Sequence, residues 1–349
     1  MTGAPSVYVL MPIDGLHLTC DFVIYRSALF GNEPDYVPSR VGLHDEFAHP
    51  YHYLSHLSFQ QYLLPDLAVV LEADEESQRE LRRVPDKRLK DFTCLMFELE
   101  EEEWVDLSLP GSQHNNNALL ERVCLQADQI LDVLRLYLFR PGEDRLIGQA
   151  GSMGGGVCGL WLGDEESVRF IARRVSPYAL AQDPIDVSLN DVRHVYNDRV
   201  FQELCSAAHK HLDDLDSTLQ RVFSALKAFR ESRELQSWEA RLRHLFTIAE
   251  SLAKATPEQH LHGPALRQAV AEVASTCWDD GFRDQHSFPD VLDVVRDLWD
   301  NVRNAITHQL TNPVALRRDP QEDLYHMEHL VVSMLRSIVC HWQMDDALD

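Results

Sequence analysis

Arg303, Asn304 and His308 fall within six residues of the stretch NVRNAITHQL, residues 301–310. Their chemistry is complementary. A histidine gives or takes a proton near neutral pH, an arginine clamps a phosphate with two hydrogen bonds, and an asparagine donates and accepts at once. Together they suit cleavage of a phosphodiester. The competing reading is a solvated helix face, because exposed Arg, Asn and His are common on helices.

A helix must position these residues. Val291, Val294, Val295, Leu298, Val302, Ala305 and Ile306 recur at helical spacing as a core stripe. Positions 293, 297, 300, 304 and 308 are spaced by three or four and form a polar stripe opposite it. Asn304 and His308 are therefore expected outside the core. Ser287 is the expected helix cap, with Asp290 supplying a reciprocal carboxylate. The acidic series Asp290, Asp293, Asp297 and Asp300 invites a metal on paper. Acidic residues in early helical turns are favoured by the helix dipole, and that explains the series without one.

Four more helices are predicted around this one. LDDLDSTLQRVFSALKAF places Leu215, Leu219, Val222, Leu226 and Phe229 on one face, and a helix over roughly 236–255 carries Leu242, Leu245, Phe246, Ala249 and Leu252. GPALRQAVAEVA has Pro264 near its start, a position that suits proline, and DLYHMEHLVVSMLRSIVCHW closes the set. Five helices with short connections make a bundle.

The chain before about residue 180 reads differently. SVYVLMPI, LTCDFVIYRS, LAVVLEA, FTCLMFELE and SVRFIARRV are short and rich in β-branched and aromatic residues, as strands are. One long helix, ALLERVCLQADQILDVLRLYLF, interrupts them and is stopped by Arg140-Pro141-Gly142. Ser188 and Asp191 form a candidate capping box beyond which nearly everything reads as helix. The fold class expected is α+β, a mixed β-rich domain over 1–186 followed by an all-α bundle over 187–349.

Charge separates the two parts as well. Of the formal net charge of −24, residues 217–349 carry −6 and residues 1–216 carry −18. So negative a surface repels phosphate backbones at long range and argues against broad non-specific nucleic-acid binding. It leaves room for a small basic site. Seven cysteines, never spaced C-x-x-C, argue against a disulfide framework and a thiolate zinc site. They fit a reduced, cytosolic compartment. No apolar run approaches the roughly 18 residues of a membrane span, and no secretory leader is visible.

RNAITH resembles the R-x(4–6)-H signature of the HEPN superfamily, in its form with Asn directly after Arg. ALKAFRESRELQSWEARLRHLFTIAESLA resembles the first helical segments of Apea-like HEPN domains, with an Arg-Leu pair at Arg241-Leu242 and an Ala-Glu-x-Leu step at Ala249-Glu250-Ser251-Leu252. LRQAVAEVA resembles the helix carrying Arg267, and VRDLWDNVRNAITHQL the motif helix. The resemblance spans roughly residues 215–345 and includes nothing from 1–180.

That resemblance implies a HEPN-like helical bundle that forms a homodimer and brings two motifs into one cleft. It implies a metal-independent endoribonuclease, needing no cofactor, of an antiphage-defence or toxin-like stress system. In that role His308 manages the proton transfers, Arg303 stabilises charge on phosphate, and Asn304 orients substrate or His308. Glu250 and Arg267 match the family's helix-to-helix polar pair, read as structural. Arg296, Arg317 and Arg318 are the few basic residues near the motif and the candidate contacts to RNA, with transfer RNA among the candidate substrates. The N-terminal domain is the candidate seat of a protein trigger or inhibitor. Many HEPN proteins bind without cutting, so a non-catalytic dimerisation and binding module stays open beside the nuclease.

Two other stretches invite chemistry. His44, His49, His52 and His56 lie close together in HDEFAHPYHYLSH, but without an H-E-x-x-H pattern and with Tyr, Phe and Leu between them. GSMGGGVCGLWLGD, residues 151–164, lacks the Lys-Ser/Thr ending of a phosphate loop and reads as a Gly-rich turn between strands.

Overall fold

A computed structural model of the chain describes residues 7–13, 15–31, 40–41, 47, 51, 89–99, 113–139, 157–163, 168–174, 185–188, 198–210, 212–235, 237–254, 259–278, 290–308 and 319–346. The architecture is α+β, with a sheet in the first compact unit and helices in the second. The units comprise residues 1–131 with 145–209, and 132–144 with 210–349.

In the first unit, β1 (Val7–Ile13), β3 (Asp21–Ile24), β4 (Ser27–Phe30), β5 (Arg40–Val41), β6 (Thr93–Leu99), β7 (Val157–Gly163) and β8 (Val168–Arg174) form one sheet in the order β5-β3-β4-β6-β1-β7-β8. All neighbours are antiparallel except β3 and β5. The central pair runs from Val7 opposite Leu99 to Ile13 opposite Thr93. β2 (Leu16–Leu18) and β9 (Ile185–Val187) make a separate parallel pair. Consecutive residues of β1, β4 and β6 are buried, as in strands covered on both faces, which is why their sequences run apolar without alternation. Pro12 is tolerated in β1 because it lies past the stretch Tyr8–Leu10 that β7 pairs among the described residues.

Two sequence expectations change here. LTCDFVIYRS is not one strand: it covers the end of β2, all of β3 and the turn into β4. Tyr25 and Arg26 make the two-residue hairpin turn, with Tyr25 at φ 51°. No Gly or Asn announces that turn, although a positive φ normally favours them. VCGLWLG is a strand between β1 and β8 and not part of a Gly-rich turn. LAVVLEA and the four histidines of residues 44–56 lie outside the described residues.

The long helix α1 (Gln113–Leu138) contributes Val123, Ala127, Ile130 and Leu131 to the first unit's core at helical spacing. Asp198 caps α2 (Arg199–Ala208) through the Phe201 amide, and Phe201, Leu204, Cys205 and Ala208 are buried. The cap seen at this helix is thus Asp198; Asp191 of the candidate capping box lies outside the described residues. α2 belongs to the first unit, so the division falls between His209 and Lys210 where sequence placed it near 186. The apolar face of α2 and the position of His209 explain the difference.

His209 ends α2 beside the hairpin. Its Nε2 lies 3.4 Å from Ser27 Oγ and its Nδ1 3.5 Å from Gln126 Nε2, with the Tyr25 ring 5.5 Å away. Burial, helped by the Arg26 cation, pushes its pKa down to about 4. The unfolded chain binds this proton near pH 6.5, so the contribution is complete above that pH. It fades as the pH falls toward 4, by about 3 kcal/mol in total. Urea unfolding at pH 7 and 4.5 should show a smaller pH-dependent loss in His209→Gln by about 2–3 kcal/mol. Equal pH dependence in the two proteins would refute the assignment.

The second unit holds residues Asp132–Leu138 of α1, then α3 (Ser217–Arg233), α4 (Trp238–Leu252), α5 (Gly263–Ser275), a motif helix over 291–308, and α8 (Pro320–Asp346). The predicted stripes are the buried ones: Leu219, Val222, Leu226 and Phe229 on α3, and Leu242, Leu245, Phe246, Ala249 and Leu252 on α4. Asp216 and Ser237 cap these helices through their side chains. Gly263 enters α5 at φ 55°, ahead of Pro264. α8 packs against α3, α4 and α5, and every residue from Met327 to Leu335 is buried, so this stretch of the helix is enclosed on all sides.

Enclosure puts charge inside. Glu328 on α8 is 3% exposed and accepts from Arg241 at 2.7 Å, with Arg233 Nε 3.5 Å away. Asp132 likewise takes Arg135 and Arg230. Arg241 of the Arg-Leu pair is therefore part of a buried ion cluster. Cys94 and Cys205 are buried and their thiols are pushed well above the usual range, which keeps them protonated and unreactive. No helix among the described residues is long and apolar enough to cross a membrane.

Candidate active site on the motif helix

The motif helix consists of α6 (Val291–Asp297), a π-helical segment (Leu298–Arg303) and α7 (Asn304–His308). Asp290 is its N-cap, accepting from the amides of Leu292 and Asp293. It therefore takes the role expected of Ser287, which lies outside the described residues. The aspartate is one turn closer to the apolar stripe, and its short carboxylate reaches both amides.

Val294, Val295, Leu298, Trp299, Val302 and Ile306 are buried, with Trp299 edge-on to Phe246 of α4 at 4.8 Å. Asp293, Arg296, Asp300 and Asn304 are exposed, so the predicted polar face is real up to Asn304. A π turn carries an extra residue; such turns are rare, occur mostly inside α-helices and are frequent at functional sites. Its occurrence directly before Asn304 was not legible, since α periodicity describes the stripe almost as well.

Arg303 and Asn304 point to different partners. Arg303 Nε meets Glu250 Oε1 of α4 at 2.6 Å, with the two side chains 33% and 25% exposed. Asn304 Nδ2 donates to the Asp300 carbonyl at 3.3 Å and is otherwise toward solvent. His308 is the last residue of α7. Arg317 and Arg318 lie outside the described residues.

Glu250 and Arg267 are not joined as a pair. Glu250 takes Arg303, while Arg267 of α5 meets Asp300 at 2.6 Å. The motif helix lies between the two residues' reach and offers each an opposite charge, which a mutual contact would forgo. Arg296 is paired along its own helix with Asp293 at 3.3 Å. The acidic series is thus accounted for residue by residue: Asp290 caps, Asp293 and Asp300 hold arginines, and Asp297 accepts from Asn301 at 2.6 Å. Among the described residues no group of three or more His, Cys, Asp or Glu is arranged to hold a metal.

Chemically, this edge offers the terminal nitrogens of Arg303 as phosphate donors, because Glu250 occupies Nε and orients the guanidinium plane. Arg243 of α4, which the sequence reading passed over, donates through Nη2 to the Ile306 carbonyl at 3.0 Å. Its spacing of three and seven from Phe246 and Glu250 is the signal that would have found it.

Both partners of the Arg303–Glu250 pair are partly exposed, so a double-mutant cycle with Glu250→Gln and Arg303→Gln should give a coupling of about 0.5–1 kcal/mol that shrinks with salt. A coupling indistinguishable from zero at low salt would show that the contact does not persist in solution.

No family model, curated protein or solved structure matches this chain.

Proposed function

We propose that the protein is a metal-independent endoribonuclease of the HEPN type, acting as a homodimer. The observation that carries this reading is the Arg303–Glu250 pair beside Asn304, on the polar edge of the helix that carries His308. In the proposed reaction the ribose 2′-OH attacks the adjacent phosphorus as its proton leaves to a base. The P–O5′ bond breaks, and the leaving oxygen takes a proton. The products are a 2′,3′-cyclic phosphate and a 5′-OH. His308 handles the protons, Arg303 meets the charge growing on phosphate, and Asn304 orients substrate or His308.

Incubation with total and transfer RNA in EDTA tests this reading. Fragments with cyclic-phosphate ends support it; equal cleavage of DNA, which lacks the 2′-OH, would sink the mechanism. In this proposal the first unit senses a trigger or holds the nuclease in check. Deleting residues 1–186 is a poor test of that role, because it also removes residues 132–144 of the second unit.

One observation favours the non-catalytic alternative, a dimerisation and binding module. Arg267, Arg296 and Arg303 each already face a carboxylate, which leaves little excess positive charge for a nucleic acid. Expression toxicity of wild type against His308→Ala in cells separates the two readings, since a module that only binds gives equal growth.

A further inference from the structure

One face of α4 holds the motif helix at three points. Phe246 packs edge-on against Trp299, Glu250 takes Arg303 Nε, and Arg243 Nη2 donates to the Ile306 carbonyl at 3.0 Å. Positions 243, 246 and 250 are three and four residues apart, so they share one side of α4. The first two contacts grip the π segment. Of these three, the last grips α7, the turn that carries His308.

The contact to α7 differs in kind from the other two. It falls on a backbone carbonyl, that of Ile306, two residues before His308. Ile306 is 7% exposed, so water is a poor substitute donor. Arg243 brings an N–H and a cation to that carbonyl from a neighbouring helix. Neither Phe246 nor Glu250 does either.

We infer that Arg243 is a positioning residue: by holding the Ile306 carbonyl it fixes the turn from which His308 acts. The kinetic part of this inference rests on the ribonuclease reading, and the structural part does not. A displacement of about 1 Å caused away from the chemistry can cost about 10²-fold in rate, so a loosened turn would show first in turnover. Lysine retains the charge and a donor, though not the planar fork of arginine, and should rescue in part.

The experiment compares full-length wild type, Arg243→Ala and Arg243→Lys by amide hydrogen exchange and by steady-state cleavage of transfer RNA. In Arg243→Ala, exchange at residues 305–308 should quicken about tenfold, with α4 unchanged. The kcat should fall about 10–100-fold with KM within about twofold, and Arg243→Lys should recover much of it. A raised KM with a shallower salt dependence would make Arg243 a phosphate contact and overturn the inference, as would an unchanged kcat. Where wild type cuts no RNA, the ribonuclease reading fails separately and exchange alone decides. Faster exchange confined to 305–308 then supports the hold on the turn, and unchanged exchange there overturns it.

Discussion

Alanine at His308 is expected to slow RNA cleavage by about 10²–10⁴-fold, the usual worth of a positioned general acid–base group. Alanine at Arg303 should cost about 10²–10³-fold, as loss of one donor to a developing oxyanion does. The arginine change has a second consequence that the histidine change lacks. Glu250, now 2.6 Å from Arg303 Nε, would be left as a bare carboxylate beside the substrate phosphate. Arg303→Ala should therefore also weaken RNA binding. The double variant with Glu250→Ala should regain affinity but not rate, because the repulsion is removed and the donor is still missing. The losses at Arg303 and His308 should not add, since both serve one transition state. Single-turnover cleavage in EDTA, with circular dichroism to confirm the fold, measures all of this. Equal rates for wild type and His308→Ala would remove His308 from the reaction.

Glu328→Ala is expected to destabilise the second unit by about 3–5 kcal/mol, a large part of the 5–15 kcal/mol that holds a typical domain. The carboxylate is 3% exposed within the enclosed stretch of α8, and it faces two guanidinium groups, Arg241 at 2.7 Å and Arg233 at 3.5 Å. Removing it leaves buried positive charge that water cannot readily reach. Glu328→Gln retains an acceptor for Arg241 and should lose less. Replacing Glu328 and Arg241 together by apolar residues of similar volume should lose less than Glu328→Ala, because no uncompensated charge remains at that contact. Urea unfolding of the three variants separates these cases. A Glu328→Ala loss under about 1 kcal/mol would mean that the cluster is solvated in solution.

Much of the helical region was legible because its signal is local. Leu242, Leu245, Phe246, Ala249 and Leu252 are buried on α4 as their spacing requires, and Val294, Val295, Leu298, Val302 and Ile306 do the same on the motif helix. The β-rich half was read less well. Tyr25-Arg26 turns the chain without the residues that usually mark a hairpin. VCGLWLG follows a glycine run that suggested a loop, yet it pairs with β1 and β8. α2 reads in sequence like the first helix of the helical half, yet it falls in the first compact unit, with Phe201, Leu204, Cys205 and Ala208 buried.

For the candidate site the division is sharper. The sequence by itself determined that Asn304 lies on a polar helical face and that Arg303, Asn304 and His308 are carried by one short stretch. Both follow from the fixed rise and turn of a helix, which depend on near neighbours alone. Only the tertiary structure decided that Glu250 serves Arg303 and not Arg267, that Arg267 serves Asp300, and that Arg243 holds the Ile306 carbonyl. These contacts join residues 53, 33 and 63 positions apart. A long side chain on one helix has several opposite charges within reach, and its partner is settled by how the helices pack and by where the π turn rotates the residues that follow it.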